Sequence, residues 1–249
     1  MFDTLKSRIY QGYQAIPDIK KALIDEKFKG LPLINTQNCL NCSECISVCP
    51  TNAINQDISI DLGKCIFCGD CERECPNNAI KFTNFHKISS ASRERLIIDS
   101  STTQETYETN AIKSSEQIKK LFGKSLKLRQ VSAGGCNGCE MELNACSNVN
   151  FDMGRFGIDI VASPRHADGI IITGPITENM ETALEDAYLS TPDPKIVILT
   201  GTCAISGGIF QNSVTLKRDF LEKYKIDLYI PGCPVHPLTF INGILSFLD

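Results

Sequence analysis

The chain has 249 residues, 42% hydrophobic and 22% charged, enough for one medium globular domain plus a small one. Its net charge of −4 and isoelectric point near 5.5 exclude the basic face of a nucleic-acid binder, and no uncharged apolar run approaches the roughly 20 residues that span a bilayer. Met1-Phe2-Asp3-Thr4-Leu5-Lys6 has neither an apolar signal core nor a twin-arginine signal, so the expected location is the cytoplasm, where 13 cysteines serve as thiolate ligands rather than disulfides.

Residues 1–16 place Phe2, Leu5, Ile9, Tyr13 and Ile16 at steps of three and four, which predicts a helix limited by Pro17. Within a 1–34 arm, this stripe either packs on the chain's own domain or docks another subunit. Lys20, Lys21, Lys27 and Lys29 read as a solvated face.

The strongest signal lies in 35–83. Cys39-x2-Cys42-x2-Cys45-x3-Cys49-Pro50 repeats 26 residues later as Cys65-x2-Cys68-x2-Cys71-x3-Cys75-Pro76, and Pro50-Thr51-Asn52-Ala53-Ile54 is echoed by Pro76-Asn77-Asn78-Ala79-Ile80. In the bacterial two-cluster ferredoxins, which this repeat resembles, short gaps let three thiolates and the intervening amides wrap one cubane, while the longer step and the proline throw the fourth thiolate away from it. Zinc is the competing reading, but two identical four-cysteine runs, each ending in proline, do not suit zinc sites. The repeat resembles the bacterial two-cluster ferredoxins, whose fourth cysteine ligates the other cluster. The resemblance implies one 4Fe–4S cluster on Cys39, Cys42, Cys45 and Cys75, and a second on Cys65, Cys68, Cys71 and Cys49.

Residues 84–115 are polar and serine-rich, with Leu96-Ile97-Ile98 as an apolar island, and read as a linker expected to lie against partner subunits. From 116 to 249 the pattern alternates. Strands are expected at 126–131, 158–162, 169–173, 195–200 and 226–230, and helices at 140–145, 178–189, 214–224 and 237–248. The expected fold is therefore α/β, a doubly wound, mainly parallel, flavodoxin-like sheet, preceded by a small α+β two-cluster ferredoxin domain.

Four of the remaining cysteines fall just past strand ends: Cys136 and Cys139 after the first strand, Cys203 after the fourth and Cys233 after the fifth. In a parallel sheet those ends share one edge, the ligand-binding edge of doubly wound folds. Gly135, Gly138, Gly201 and Gly232 flank them, as expected where backbone approaches a bulky inorganic group. Four thiolates suit a third cubane.

The motifs Cys136-Asn137-Gly138-Cys139-Glu140, Ser163-Pro164-Arg165-His166-Ala167-Asp168, Thr173-Gly174-Pro175, Gly201-Thr202-Cys203, Ser206-Gly207-Gly208-Ile209-Phe210 and Gly232-Cys233-Pro234 resemble the small subunit of membrane-bound, energy-converting nickel–iron hydrogenases of the formate hydrogenlyase type. That family is homologous to the 20 kDa subunit of complex I. The likeness covers roughly 126–247, and the chain resembles a fusion of this subunit with the separate ferredoxin subunit of such complexes. It implies a third cluster on Cys136, Cys139, Cys203 and Cys233, a large subunit carrying the nickel–iron centre next to it, and complex I-like membrane subunits underneath. It also implies an upstream donor such as formate dehydrogenase, carbon monoxide dehydrogenase or ferredoxin. The chain would sit peripherally on the cytoplasmic face of the inner membrane. The complex I subunit has two adjacent cysteines, whereas Cys136 and Cys139 are separated by two residues, as in the hydrogenases; this favours reversible proton reduction over quinone reduction. A stand-alone electron-transfer adapter or redox sensor is the alternative of another class.

No P-loop, dinucleotide fingerprint or nucleophilic triad is present, so no catalytic centre is expected in this chain. Glu140 has two readings: a proton relay if burial raises its pKa, or an acceptor for backbone amides at the start of its helix. Cys146 reads as a buried small hydrophobe. His86 reads as a surface or linker residue, and His236 as a cap or packing group or a donor near the third site. Arg165 and His166 read as loop-structuring and subunit-contact residues.

Overall fold

A computed structural model of the chain describes residues 2–109, 120–123 and 125–248. The boundary expected between 115 and 116 and the last part of the expected linker lie outside the described residues. Helix α1 (Phe2–Gln11) is shorter than its apolar stripe, because Gly12 at φ +66° ends it before Pro17 is reached. The described residues leave the stripe uncovered along the helix: Phe2, Leu5 and Ile9 are 82%, 58% and 75% exposed. Attachment begins beyond the helix, where Ile16 N–H donates to Asn150 O at 2.9 Å and Arg155 donates to the Tyr13 hydroxyl at 3.3 Å.

The two cysteine runs form a small α+β domain with pseudo-repeated parts. Strand β1 (Pro32–Ile34) pairs antiparallel with β3 (Ile80–Phe82), placing Ile34 opposite Ile80. Between them lie short helix α2 (Glu44–Ser47), strand β2 (Ile60–Asp61) and short helix α3 (Asp70–Arg73). Lys29, expected in solvent, pairs with Glu72 at 3.2 Å and lies over the Phe82 ring, which draws its stem onto the domain.

The stretch after Phe82 is woven into both domains. Strand β4 (Ile97–Ile98) adds to β2, with Ile60 opposite Ile98, and Ser90 forms an antiparallel bridge with Tyr229 of the second domain. Ile88, Leu96 and Ile98 are buried. Arg93 grips Asp61 with both ends of its guanidinium, at 2.8 and 2.6 Å, and Asp61 also accepts from Gly63 N–H at 2.8 Å. In helix α4 (Gln104–Thr109), Tyr107 donates its hydroxyl to Ile88 O at 2.9 Å. His86 is buried rather than on the surface, because this stretch crosses the C-terminal helix, where Asn242 Nδ2 lies 3.4 Å from its Nε2.

The second domain holds β5 (Leu126–Ser132), helix α5 (Gly138–Ala145), β6 (Ile158–Ile160), β7 (Gly169–Thr173), helix α6 (Glu178–Ser190), β8 (Ile196–Thr200), helix α7 (Thr202–Ser206), helix α8 (Phe220–Lys223), β9 (Leu228–Ile230) and helix α9 (Pro237–Leu248). All five strands are parallel in the order β6-β5-β7-β8-β9, the flavodoxin-like arrangement, with its switch point between β5 and β7. Both faces are covered, so β7 and β8 are buried at every position and read as continuous apolar runs. Alternation splits them between two cores: Ile171, Ile196 and Ile198 pack with Phe240, Ile241 and Ile244 of α9, whereas Ile170, Ile172, Val197 and Leu199 face the other side. That second core continues without a break into Ile60, Leu62 and Ile80 of the first domain and Leu96 of the stretch between the domains.

The pattern predicts a helix over 214–224, but only Phe220–Lys223 is helical. The preceding residues run extended beside the turn into α6, with Leu216 bridged to Thr177 and Lys217 N–H donating to Ile176 O at 2.9 Å. This pairing outcompetes local helix propensity.

Two stability outcomes follow from the woven stretch. Replacing Arg93 by Met strands the buried Asp61 carboxylate and is expected to lower stability by about 2–4 kcal/mol, read from the urea midpoint. Burial pushes the His86 pKa down from 6.5 to about 4. The unfolded chain therefore binds this proton first, and the contribution of neutral His86 is present above pH 6.5 and lost as pH falls through 4. His86→Gln should flatten the acid limb of a stability–pH curve in that window.

Candidate metal centres

The sequence repeat is also a repeat of backbone geometry. Asn41 and Phe67, 26 residues apart, adopt φ of 53° and 55°, and Asn52 and Asn78 adopt 50° and 51°. These left-handed turns aim amides at sulfur. Asn41 N–H donates to Cys39 Sγ at 3.4 Å and Phe67 N–H to Cys65 Sγ at 3.3 Å. Ala53 N–H donates to Cys49 Sγ and Ala79 N–H to Cys75 Sγ, both at 3.2 Å. Hydrogen bonds of this kind favour the thiolate over the thiol.

Thiols of the two runs act on one another. Cys45 is pushed above the usual thiol range by burial first, then by Cys75 and Cys39. Burial pushes Cys71 up to about 12, with Cys49 and Cys68 next in effect. Cys65 is likewise raised, by burial and then by Cys71, Cys49 and Cys68. Cys49, Cys65, Cys68 and Cys71 line one small cavity together with Phe82 and Ile60. Among the described residues no group of three or more His, Cys, Asp or Glu side chains is arranged to hold a single metal ion. Here four sulfurs surround a space instead. Thiols raised by mutual repulsion and burial are those that a cationic iron core deprotonates and pairs, so this donor set fits a 4Fe–4S group.

The third set assembles at the carboxyl edge of the parallel sheet. Cys136 follows β5 and Cys139 lies in the first turn of α5, Cys203 lies in the first turn of α7 after β8, and Cys233 follows β9. Cys139 is pushed up to about 12, chiefly by burial, with Glu140, Cys203 and Cys233 adding to it. Cys203 is pushed up to about 11 by burial, then by Cys233 and Cys136. Cys233 is raised by burial and then by Cys136 and by Cys68 of the first domain. The backbone leaves room for these sulfurs. Gly201 has φ +93°, and a Cβ there would lie 2.6 Å from Cys139 Sγ. At the switch point Gly174 crosses Gly135 so closely that a Cβ on Gly174 would come within 2.5 Å of Gly135 N.

Glu140 is buried, but its partners are not helix amides. Its Oε1 accepts from the Ser132 hydroxyl at the end of β5 and from the Thr173 hydroxyl at the end of β7, both at 2.6 Å. The carboxylate thus ties the two switch-point strands together behind Cys139. Cys146 is fully buried, donates to Glu142 O at 3.3 Å and packs in the α9-side core, as a small hydrophobe does. His236 accepts from Leu238 N–H at 3.1 Å at the start of α9 and meets the edges of Phe28 and Phe151, so it caps and packs. Arg165 and His166 are exposed on a single turn, Pro164–His166.

Two side chains that the sequence did not single out join these sites. The Thr202 hydroxyl lies 2.7 Å from Cys65 O and 3.2 Å from Gly232 O, so the residue before Cys203 bonds the loops that carry Cys65 and Cys233. Arg218 donates to Cys203 O at 3.2 Å. The Gly-Thr-Cys motif flagged Thr202 only by its neighbour; nothing in the spacing of Arg218 flags it at all.

A two-run ferredoxin domain packed on a flavodoxin-like sheet with cysteines at its switch-point edge defines an iron–sulfur protein of the respiratory and hydrogenase type. Residues 31–54 and 58–81 match 4Fe-4S binding domains, and 136–247 match the family "NADH ubiquinone oxidoreductase, 20 Kd subunit". The chain is 37% identical over 133 residues to a probable membrane-bound hydrogenase subunit of Pyrococcus furiosus, covering 53% of this chain and 80% of that one. It is 42% identical over 129 residues to formate hydrogenlyase subunit 7 of Escherichia coli, covering 52% of this chain and about half, 51%, of that one. It is 40% identical over 111 residues to an NADH-quinone oxidoreductase subunit of Citrifermentans bemidjiense, covering 45% and 65% of the two chains. The chain belongs to the 20 Kd subunit family of oxidoreductase complexes, here carrying a two-cluster ferredoxin domain at its N-terminal side.

Gly201→Ala tests the third set. The new methyl displaces Cys139 Sγ and forces a left-handed φ on alanine, costing more than about 1 kcal/mol. The expected result is loss of one cubane's worth of iron and acid-labile sulfide, with the ferredoxin-domain content unchanged.

Proposed function

We propose that the chain is the electron-transfer subunit of a membrane-bound nickel–iron hydrogenase complex, working between an upstream donor and a catalytic large subunit that reversibly reduces protons to hydrogen. When bound, each 4Fe–4S group supplies one-electron storage and transfer. Cys39, Cys42, Cys45 and Cys75 hold the first, Cys65, Cys68, Cys71 and Cys49 the second, and Cys136, Cys139, Cys203 and Cys233 the third. The observation that carries this reading is the junction of the second and third sets: Thr202 bonds Cys65 O from the residue next to Cys203, and Cys68 neighbours Cys233. Cys45 of the first set acts on Cys71 in turn, which supports an order with the second set between the other two.

The chain itself holds no catalytic centre in this reading. Its third set sits at an open edge: Cys136 and Cys233 are exposed, and Met141, Ile209 and Phe210 present apolar surface on the same segments. That edge receives the nickel–iron subunit. The uncovered stripe of α1 docks a neighbouring subunit. Among the described residues no helix is long and apolar enough to cross a membrane, so membrane attachment, at the cytoplasmic face, runs through complex I-like membrane partners. Formate dehydrogenase, carbon monoxide dehydrogenase or a soluble ferredoxin can serve the donor end.

A complex I-like quinone reductase is the second reading, favoured by the 40% identity to an NADH-quinone oxidoreductase subunit, which is close to that of the hydrogenase relatives. The two-residue gap between Cys136 and Cys139 favours hydrogen chemistry. Purification in mild detergent tests the choice. The expected complex contains a nickel-bearing large subunit and evolves hydrogen from a low-potential donor. Quinone reduction without hydrogen evolution would establish the second reading, and recovery of the chain as a lone soluble monomer would establish an adapter.

A further inference from the structure

Arg218 is a partly buried cation whose bonding partners are all backbone carbonyls. Its guanidinium donates to Pro175 O at 2.8 Å, Cys203 O at 3.2 Å, Ala204 O at 2.8 Å and Ile205 O at 3.0 Å. Among the described residues no carboxylate pairs with it: its neighbours Lys217 and Asp219 pair with each other at 3.1 Å. Nearby Arg93 is different, because Asp61 neutralises it. Carbonyl dipoles satisfy the N–H groups of Arg218 but leave its formal charge without a counter-ion, and burying such a charge is costly.

The contacts of Arg218 lead to the third cysteine set. Arg218 holds the carbonyl of Cys203 itself and two more carbonyls of α7, the five-residue helix that carries this cysteine. Resting on the reading of a 4Fe–4S group on Cys136, Cys139, Cys203 and Cys233, we propose that Arg218 is the built-in counter-charge of that group and sets its reduction potential. A cubane on four thiolates is anionic and gains one further negative charge on reduction. A fixed cation beside one ligand stabilises the reduced form more than the oxidised form, so it raises the potential. Arg suits the position because it stays charged while its planar fork reaches several carbonyls at once. Arg218 is a positioning residue in this role, since it acts through Cys203.

The alternative is a plain cap for the end of α7, in which the bonds matter and the charge does not. Arg218→Lys keeps the charge and loses most of the fork, whereas Arg218→Met keeps the stem and loses the charge. The test is an EPR-monitored redox titration of the anaerobically purified complex, with iron and sulfide analysis alongside. The expected result is that Arg218→Met lowers the potential of the third cluster by at least a tenfold change in its reduction equilibrium, about 59 mV for one electron. The two ferredoxin-domain clusters stay unchanged, and Arg218→Lys stays close to wild type. Should Arg218→Met fail to retain the third cluster, Arg218→Lys must retain it at near wild-type potential. Equal shifts in both variants, no shift in either, or loss of the cluster from both would overturn the counter-charge role. A wild-type protein holding only two cubanes would instead remove the three-cluster reading beneath it.

Discussion

Everything functional in this chain depends on a fixed separation between cysteines that belong to two different domains. That separation is held by packing rather than by a tether. The core on one face of the parallel sheet, with Ile170, Ile172, Val197 and Leu199, runs directly into Ile60, Leu62 and Ile80 of the ferredoxin domain and Leu96 of the stretch between the domains. At the seam the Thr202 hydroxyl bonds the carbonyl of Cys65. A tightly packed interior does not deform continuously, so the second and third cysteine sets are locked at one spacing. A flexible linker would have let that spacing vary, and electron transfer with it.

The same logic explains the stretch between the domains. Its serines look like linker composition, yet it contributes β4 to one domain, a bridge at Ser90 to the other, and the Arg93 grip on Asp61. These contacts clamp the seam from outside while Thr202 holds it from within.

Much of this was legible in the sequence, because the features that mattered were local. Ligand spacing marked the two ferredoxin runs, and apolar runs bounded by glycine marked strands whose ends had to share an edge, which placed Cys136, Cys139, Cys203 and Cys233 together. What stayed hidden depended on contacts across long separations. Thr202 meets Cys65 from 137 positions away. Glu140 finds hydroxyls on β5 and β7 instead of the amides of its own helix. His86 is buried where its stretch crosses α9 and meets Asn242, and residues before Phe220 abandon a helical pattern because Ile176 and Thr177 offer them backbone partners. Arg218 could not be read at all, since an isolated arginine in a polar stretch carries no periodicity and no motif.

The central claim is that one chain carries three cubanes in series, the second set standing between the other two. Mössbauer and EPR spectroscopy of the anaerobically purified complex, on iron introduced into this chain alone, tests it most directly. The account predicts three 4Fe–4S centres, with spin interaction on reduction between the second and each of its neighbours. Zinc in place of iron, only two cubanes, or a third centre that interacts with the cluster on Cys39, Cys42, Cys45 and Cys75 but not with that on Cys65, Cys68, Cys71 and Cys49 would contradict it.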